Sequence, residues 1–284
     1  MTEVPVRPAS TVMLVRDAPD GLEVFTLRRV REMAFAGGMT AFPGGGVDPT
    51  DADPDFPWIG PKPAWWAGRW AIGEDDARAR VVAAVRELFE ETGILLAGSD
   101  AEVVGDPELL EDQRQAVSAH RTSLGAVLRD GGHSLRADLL RPWARWITPE
   151  GQPRRYDTYF FVAALPDGLS ARALTTEAFD GAWARPVDLQ AATNAGEIRM
   201  LPPTRAMIAD LSRAPDVSTL LETQRAVTPV TPEVVSRDGE VRVLIDGVEV
   251  ATMPAQVSAS VDRPSSEEPR AANRSEPNRP EDGR

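Results

Sequence analysis

The segment from Ala77 to Gly93 constrains the fold more than any other part of the sequence. It is rich in strong helix formers, and a glycine follows at the position where a helix often ends in a left-handed residue. Two aspartates, Asp75 and Asp76, lie just before Ala77, and either is suited to cap the first turn of a helix that begins there. The pattern therefore predicts a helix over Ala77–Thr92, capped by one of these aspartates and ended by Gly93.

Three glutamates share one face of this predicted helix. At about 100° per residue, Glu87, Glu90 and Glu91 project to the same side, and the apolar residues project to the opposite side. Ionised carboxylates placed together repel one another unless a hard cation with oxygen ligands lies among them. Mg²⁺ or Mn²⁺ suits that position, whereas a solvated acidic surface is the alternative for the glutamates alone.

The neighbours of the glutamates favour the metal site. Arg86 lies one turn before Glu90 and can hold its carboxylate. Upstream, the run Phe42-Pro43-Gly44-Gly45-Gly46 has few side chains, so its backbone can approach a ligand closely. The segment Arg86–Ile94, together with this glycine run, resembles the two halves of the Nudix hydrolase signature. That signature is usually compact, but here a long insertion separates its halves.

Two further residues of this chain, Asp48 and Arg78, can be compared with acidic positions of the compact signature. Asp48 stands where an acidic residue is expected after the glycine run. Upstream of Arg86, the compact signature has a glutamate at the position that Arg78 occupies in this chain. The resemblance therefore leaves the partner that orients Arg86 unidentified.

The resemblance implies a set of site residues. The Gly44 carbonyl, Glu87, Glu90 and Glu91 are the expected metal ligands for Mg²⁺ or Mn²⁺. Glu87 is also expected to orient or deprotonate the attacking water, because bound metals lower the pKa of water and clamp phosphate oxygens. The structural positions of the motif are Gly45, Arg86 and Gly93.

Other polar residues are candidates for catalysis and substrate binding. In this family a second acidic group often comes from a late loop, and Glu177 is the candidate here, with Asp180 as competitor and an ordinary polar loop as the alternative. Arg28 and Arg155 lie near predicted strand ends and suit bidentate phosphate contact. Surface charge is the alternative for both arginines.

The split signature also indicates a branch of the family. Together with the segments 145–149 and 154–161, it resembles the peroxisomal-type coenzyme A diphosphatases. Val24–Arg28 resembles the start of the coenzyme A motif, although Met33 occupies the place of its second arginine. The expected substrate is a nucleoside diphosphate derivative, with coenzyme A or an acyl-coenzyme A favoured. ADP-ribose or a dinucleotide is the runner-up, and a ligand sensor without turnover is the third hypothesis.

Patterning along the chain predicts an α/β fold, and the resemblance implies a Nudix-type α/β/α sandwich with a mixed sheet. Strands are predicted at Thr11–Val15, Glu23–Arg28, Tyr156–Ala164 and Trp183–Pro186, and helical segments at Asp112–Arg129, Leu135–Trp146 and Arg205–Ser212. The predicted Nudix domain covers 8–212, with insertions at about 48–76 and 106–146, of which the second is predicted to be helical. An extension over 213–253 with a β-hairpin at Asp246-Gly247 is predicted to follow, and then a disordered tail over 254–284.

Composition excludes several classes of function. The chain has no cysteine and two histidines, which removes thiolate sites and leaves a metal mainly oxygen ligands. A net charge of −13 argues against broad nucleic-acid binding. The start of the chain contains no signal peptide or membrane span. These features fit a cytoplasmic protein with a small-molecule substrate, no nucleic-acid partner and no membrane contact, and a homodimer is left open.

Overall fold

The computed structural model describes residues 4–29, 38–104, 110–174, 178–237, 240–245 and 247–254. The predictions that concern Met33, Glu177 and the tail from residue 255 onward lie outside these described residues.

The described chain alternates strands and helices. The strands are β1 (Val6–Ala18), β2 (Gly21–Arg29), β3 (Thr40–Ala41), β4 (Gly44–Gly46), β5 (Trp58–Ile59), β6 (Ala97–Gly98), β7 (Ser134–Arg136), β8 (Arg141–Ile147), β9 (Arg155–Ala164), β10 (Ala178–Ala184), β11 (Pro229–Val230), β12 (Glu233–Arg237), β13 (Glu240–Ile245) and β14 (Val248–Pro254). The helices are α1 (Pro63–Trp70), α2 (Glu74–Thr92), α3 (Glu111–Ser118), α4 (Leu124–Gly131), α5 (Pro186–Asn194), α6 (Pro202–Leu211) and α7 (Val217–Glu222), with 3₁₀ turns at Pro49–Ala52 and Ala137–Leu139.

The main sheet is mixed and has β1 near its centre. Its order is β10-β2-β1-β9-β8-β11, and the short strands β3 and β4 pair with β2 and β1. β1 runs antiparallel to β2 and parallel to β9, so the first two predicted strands form a hairpin. The apolar run Val12–Val15 is fully buried, as expected for a strand that is covered on both faces.

Helices cover both faces of this sheet. α1 and α2 pack on one face, in a core that includes Trp66, Leu88 and Phe161. α6 and α7 cover the other face, where Met207 and Leu220 join a second core. The predicted α/β/α sandwich is therefore confirmed. α7 lies beyond the predicted domain end at residue 212, and the domain boundaries themselves stay predictions.

α2 begins earlier than predicted and ends where predicted. Its N-cap is Gly73, so the prediction that Asp75 or Asp76 caps the helix is wrong. Both aspartates lie in the first turn instead, where the helix dipole favours negative charge, and glycine is itself accepted at an N-cap. At the other end, Gly93 is left-handed with φ 78°, and its N–H donates to the Phe89 carbonyl. Among the described helices, none is long and apolar enough to cross a membrane.

The first insertion is more regular than its sequence suggests. It contains a 3₁₀ turn, β5 and helix α1. Trp66 and Trp70 on α1 are buried against Phe161, so these two aromatic side chains fill the core. Trp65 is different, because it is 43% exposed.

The second insertion is helical only in its first part. α3 and α4 replace the one predicted helix, and the prediction of a helical segment over Leu135–Trp146 is wrong. That segment forms β7 and most of β8, because β8 pairs with β9 and buries Trp143 and Trp146. β7 also pairs with β5, so one three-stranded sheet joins the two insertions.

The strand predicted at Trp183–Pro186 is observed as the longer β10, but it ends at Ala184, and Pro186 begins α5 instead because proline suits the first turn of a helix. α6 overlaps the helix predicted at Arg205–Ser212 and ends at Leu211. Near the C-terminal end of the described chain, Ile245 pairs with Val248, which confirms the predicted hairpin.

Candidate active site

A cavity of about 520 Å³ opens between the glycine strand β4 and the acidic face of α2. Its lining brings together most of the predicted site: Gly44, Gly45, Arg86, Glu87, Glu90 and Glu91. Gly93 is not part of this lining and acts from the end of α2. The residues that were predicted to bind metal therefore share one cavity.

Arg86 is the centre of a buried ion network. Its Nε and Nη2 donate to the two carboxylate oxygens of Asp51 at 2.9 and 3.0 Å. Nη1 donates to Glu87 Oε1 and Glu90 Oε1, each at 2.9 Å, and Nη2 also donates to the Gly46 carbonyl at 2.7 Å. These contacts use all five guanidinium donors. Burial alone lowers the pKa of Arg86, but the Asp51 hydrogen bond and the Glu87 charge outweigh it and raise that pKa.

Asp51 is the functional residue that sequence reasoning missed. Its carboxylate is almost completely buried, and burial raises its pKa although the hydrogen bond from Arg86 opposes this. Asp48 instead caps the 3₁₀ turn that carries Asp51. Arg78 lies apart from this network and pairs with Asp75 at 3.1 Å. A search for acidic residues soon after the glycine run would have included Asp51, whereas the insertion displaces any count made backward from Arg86.

Glu87 is a buried carboxylate held against the glycine strand. Its side chain is 13% exposed, and burial raises its pKa to about 7, with Arg86 lowering it and Glu90 raising it further. A Cβ atom built on Gly45 would lie 2.5 Å from Glu87 Oε1. Glycine at position 45 thus leaves the space that the Glu87 carboxylate occupies.

Glu91 joins α2 to the glycine strand. Its Oε2 accepts a hydrogen bond from the Gly44 N–H at 2.9 Å, and the residue is 8% exposed. A Cβ atom on Gly44 would lie 2.5 Å from the Ser10 carbonyl oxygen, so β4 packs tightly on β1 as well. The backbone at Gly44 is therefore fixed next to the carboxylates.

The close approach at Gly45 gives a prediction with a matched control. We expect Gly45→Ala to lower turnover by roughly 100-fold, since the added methyl must displace the Glu87 carboxylate and small misplacements of catalytic groups are costly. Gly46→Ala is the control, because a Cβ atom there meets nothing within 4 Å. Steady-state turnover with melting temperatures checks both variants, and Gly45→Ala at near wild-type turnover would contradict the assignment.

The donor set of the cavity fits a hard divalent cation. Glu87, Glu90 and Glu91 supply only oxygen atoms, and a nearby cation would favour the ionised form of the buried Glu87. Within the described stretches of chain, no three acidic or histidine side chains already meet at one point. The carboxylates are held instead by Arg86 and by the Gly44 N–H.

The other walls of the cavity come from the sheet. Tyr156, Thr158 and Phe160 alternate along β9 and line it, and Arg29 at the end of β2 lines it as well. The strand period of two explains why Arg29, rather than its neighbour Arg28, faces the cavity.

The structure does not bring the predicted phosphate-binding arginines into this lining. Arg28 is exposed on β2. Arg155 is 8% exposed, and its Nε donates to the Thr148 carbonyl at 3.1 Å. Asp180 is exposed on β10 and lies opposite Arg28 in the strand register. Substrate contact by Arg28 or Arg155 stays a prediction.

Comparison with known proteins identifies relatives. Residues 69–214, just over half of the chain, match the family described as the NUDT19 Nudix domain. Human acyl-coenzyme A diphosphatase NUDT19 is 26% identical over 239 residues, covering 69% of this chain and 62% of the human protein. A Caenorhabditis elegans protein named as a nudix hydrolase is 28% identical over 218 residues, covering 76% and 65%. The chain thus spans less than two thirds of either relative's length.

A solved structure extends this similarity beyond the family match. The crystal structure of a Nudix hydrolase from Alicyclobacillus acidocaldarius superposes with a TM-score of 0.67 at 28% sequence identity. The alignment covers 79% of this chain and 99% of that structure. About four fifths of this chain therefore shares its overall fold with a Nudix hydrolase of known structure.

Proposed function

Because the chain belongs to the Nudix hydrolase family, in the group of the NUDT19 Nudix domain, we propose that it hydrolyses the diphosphate of coenzyme A or an acyl-coenzyme A. The observation that carries this proposal is the cavity in which Glu87, Glu90 and Glu91 face the glycine strand. The name of the human relative, an acyl-coenzyme A diphosphatase, supports the substrate class. Cytoplasmic location, the absence of nucleic-acid binding and the homodimer stay predictions.

The cavity residues would hold Mg²⁺ or Mn²⁺ through oxygen atoms. Glu87, Glu90, Glu91 and the Gly44 carbonyl are the proposed ligands, which fits the preference of these cations for carboxylates. When bound, such a cation lowers the pKa of water and neutralises charge on the phosphate oxygens. The Asp51–Arg86 pair supports this arrangement, because the Arg86 guanidinium that Asp51 holds also binds the Glu87 and Glu90 carboxylates.

The reaction needs a group that orients water and accepts its proton. Glu87 is proposed for this role, because its carboxylate lines the cavity next to Gly45. The water oxygen attacks one phosphorus atom, the bond from that phosphorus to the bridging oxygen breaks, and two phosphomonoesters form. Arg86 holds the Glu87 carboxylate in position. A second acidic group at Glu177 stays part of the proposal without a described position.

The sheet wall of the cavity suits the rest of the substrate. Tyr156 and Phe160 offer aromatic surface to a nucleobase, and the Arg29 guanidinium offers a cation to a further phosphate. In this proposal Arg29 takes the role that sequence reasoning gave to Arg28. Coenzyme A carries both a nucleobase and a phosphate outside its diphosphate, so it can use both features.

A comparison of four diphosphate substrates tests the coenzyme A assignment. Catalytic efficiency is compared for coenzyme A, its 3′-dephospho form, ADP-ribose and NADH at one Mg²⁺ concentration. We expect coenzyme A to exceed the dephospho form by roughly tenfold or more, the effect of one charge-assisted phosphate contact. Preference for ADP-ribose or NADH would overturn the coenzyme A assignment and favour the runner-up, an ADP-ribose or dinucleotide pyrophosphatase.

A further inference from the structure

The second insertion is anchored directly on α2, the helix that carries the three cavity glutamates. Arg114 on α3 is 6% exposed, and its Nη1 donates to the Glu90 carbonyl at 2.7 Å and to the Leu174 carbonyl at 3.3 Å. Its Nε and Nη2 bind the Glu111 carboxylate at 2.9 and 2.6 Å. Because Arg114 ties α3 to the backbone of Glu90, the end of α3 has a fixed position relative to the carboxylates.

His120 lies two residues beyond the end of α3 and lines the cavity. Ser118 lines it too, so this insertion supplies a wall of the site. The His120 backbone is left-handed with φ 51°, and the imidazole is 73% exposed rather than packed. The chain has one other histidine, His133, which lies beside Gly131 and is not part of this lining.

Asp48 lies near the imidazole but does not bind it. His120 Nδ1 is 3.7 Å from Asp48 Oδ2, which is longer than a hydrogen bond, so either ring nitrogen can contact a ligand. The three glutamates of the cavity are proposed to hold the cation, so the phosphate oxygens that they repel need donors from other residues of the lining, and His120 is one such residue.

We propose that His120 is a substrate-binding residue whose imidazole donates a hydrogen bond to a phosphate oxygen of the bound diphosphate. This inference rests on the proposed hydrolysis and deepens it, because it assigns a role in substrate recognition to the inserted segment. The hydrogen bond from Arg114 to the Glu90 carbonyl keeps the segment in place.

Kinetics of matched histidine variants test this role. We expect His120→Gly to raise KM by about tenfold, with kcat changed less than about threefold, as for loss of one hydrogen bond to a charged group. Glycine accepts the left-handed backbone, so the melting temperature should not fall. His120→Asn tolerates the same backbone and keeps a donor, so it should recover part of the affinity. His133→Asn is the control and should leave KM and kcat unchanged.

A binding experiment separates this inference from the proposed function. Imidodiphosphate with Mg²⁺ is titrated into the full chain while the imidazole resonances of the two histidines are followed by NMR. We expect the His120 resonances to shift and those of His133 to remain. Binding that leaves His120 unshifted, with a normal KM in His120→Gly, would overturn this inference alone. Absence of both binding and hydrolysis in the wild type would overturn the proposed function together with it.

Discussion

Glu87→Gln is expected to lower turnover by roughly 10³-fold and to stabilise the metal-free protein above neutral pH. The loss follows from removing the proposed base, whose contribution in enzymes is typically about 10²–10⁴-fold. The stabilisation follows from burial, which raises the pKa of Glu87 to about 7 and so disfavours the charged carboxylate. Glutamine has nearly the same shape and carries no charge.

The pH dependence of this effect has a definite sign. A glutamate whose folded-state pKa exceeds its unfolded value contributes stability that is fully present below the unfolded pKa, about 4.5. That stability is lost as the pH rises through about 7. In the presence of a chelator, the wild type should therefore lose about 2 kcal/mol relative to Glu87→Gln between pH 5 and pH 8.

Thermal unfolding and turnover measured side by side check this prediction. Glu74→Gln is the control, since this residue is exposed in the first turn of the same helix and lies outside the cavity lining. Glu91→Gln should also lower turnover by orders of magnitude, because Glu91 is a proposed metal ligand held against Gly44. Near-normal turnover in both Glu87→Gln and Glu91→Gln would refute the site.

Asp51→Asn is expected to destabilise the protein by about 3–5 kcal/mol, the usual cost of removing one partner of a buried ion pair. The substitution leaves the Arg86 guanidinium buried without the carboxylate that accepts two of its hydrogen bonds. Turnover should fall as well, by roughly 100-fold, because Arg86 then holds Glu87 and Glu90 less firmly.

Asp48→Asn provides the comparison for that variant. It alters the same 3₁₀ turn but leaves the Asp51–Arg86 contact in place, and asparagine is itself a good cap. Its effect on the free energy of unfolding should stay within about 1 kcal/mol. Urea unfolding gives both values, and an Asp51→Asn variant as stable as Asp48→Asn would show that the buried pair does not hold this site together.

The sequence was informative where the signals are local. Helix α2, its end at Gly93 and the shared face of three glutamates all depend on spacing within one segment. The glycine strand could be recognised for the same reason, since its lack of side chains is what brings it close to Glu87. These local patterns were enough to predict the glycine and carboxylate wall of the cavity.

The remaining features depend on contacts between distant residues. Asp51 and Arg86 are 35 positions apart, so no fixed spacing connects them across the insertion. The choice between Arg28 and Arg29 depends on the strand register, because a shift by one residue changes the face. The segment Leu135–Trp146 has an amphipathic pattern, but its second half pairs with β9 as strand β8.

The most direct test of metal-dependent hydrolysis at this site is to analyse the products formed from coenzyme A in ¹⁸O-labelled water by mass spectrometry. Reactions contain Mg²⁺, Mn²⁺ or a chelator, with Glu87→Gln run in parallel. We predict two phosphomonoesters, one of them carrying a single ¹⁸O atom, with formation abolished by the chelator and reduced about 10³-fold in Glu87→Gln. Cleavage that persists unchanged in the chelator and in Glu87→Gln would contradict the account, as would failure of the wild type to cleave coenzyme A, ADP-ribose and NADH with either metal.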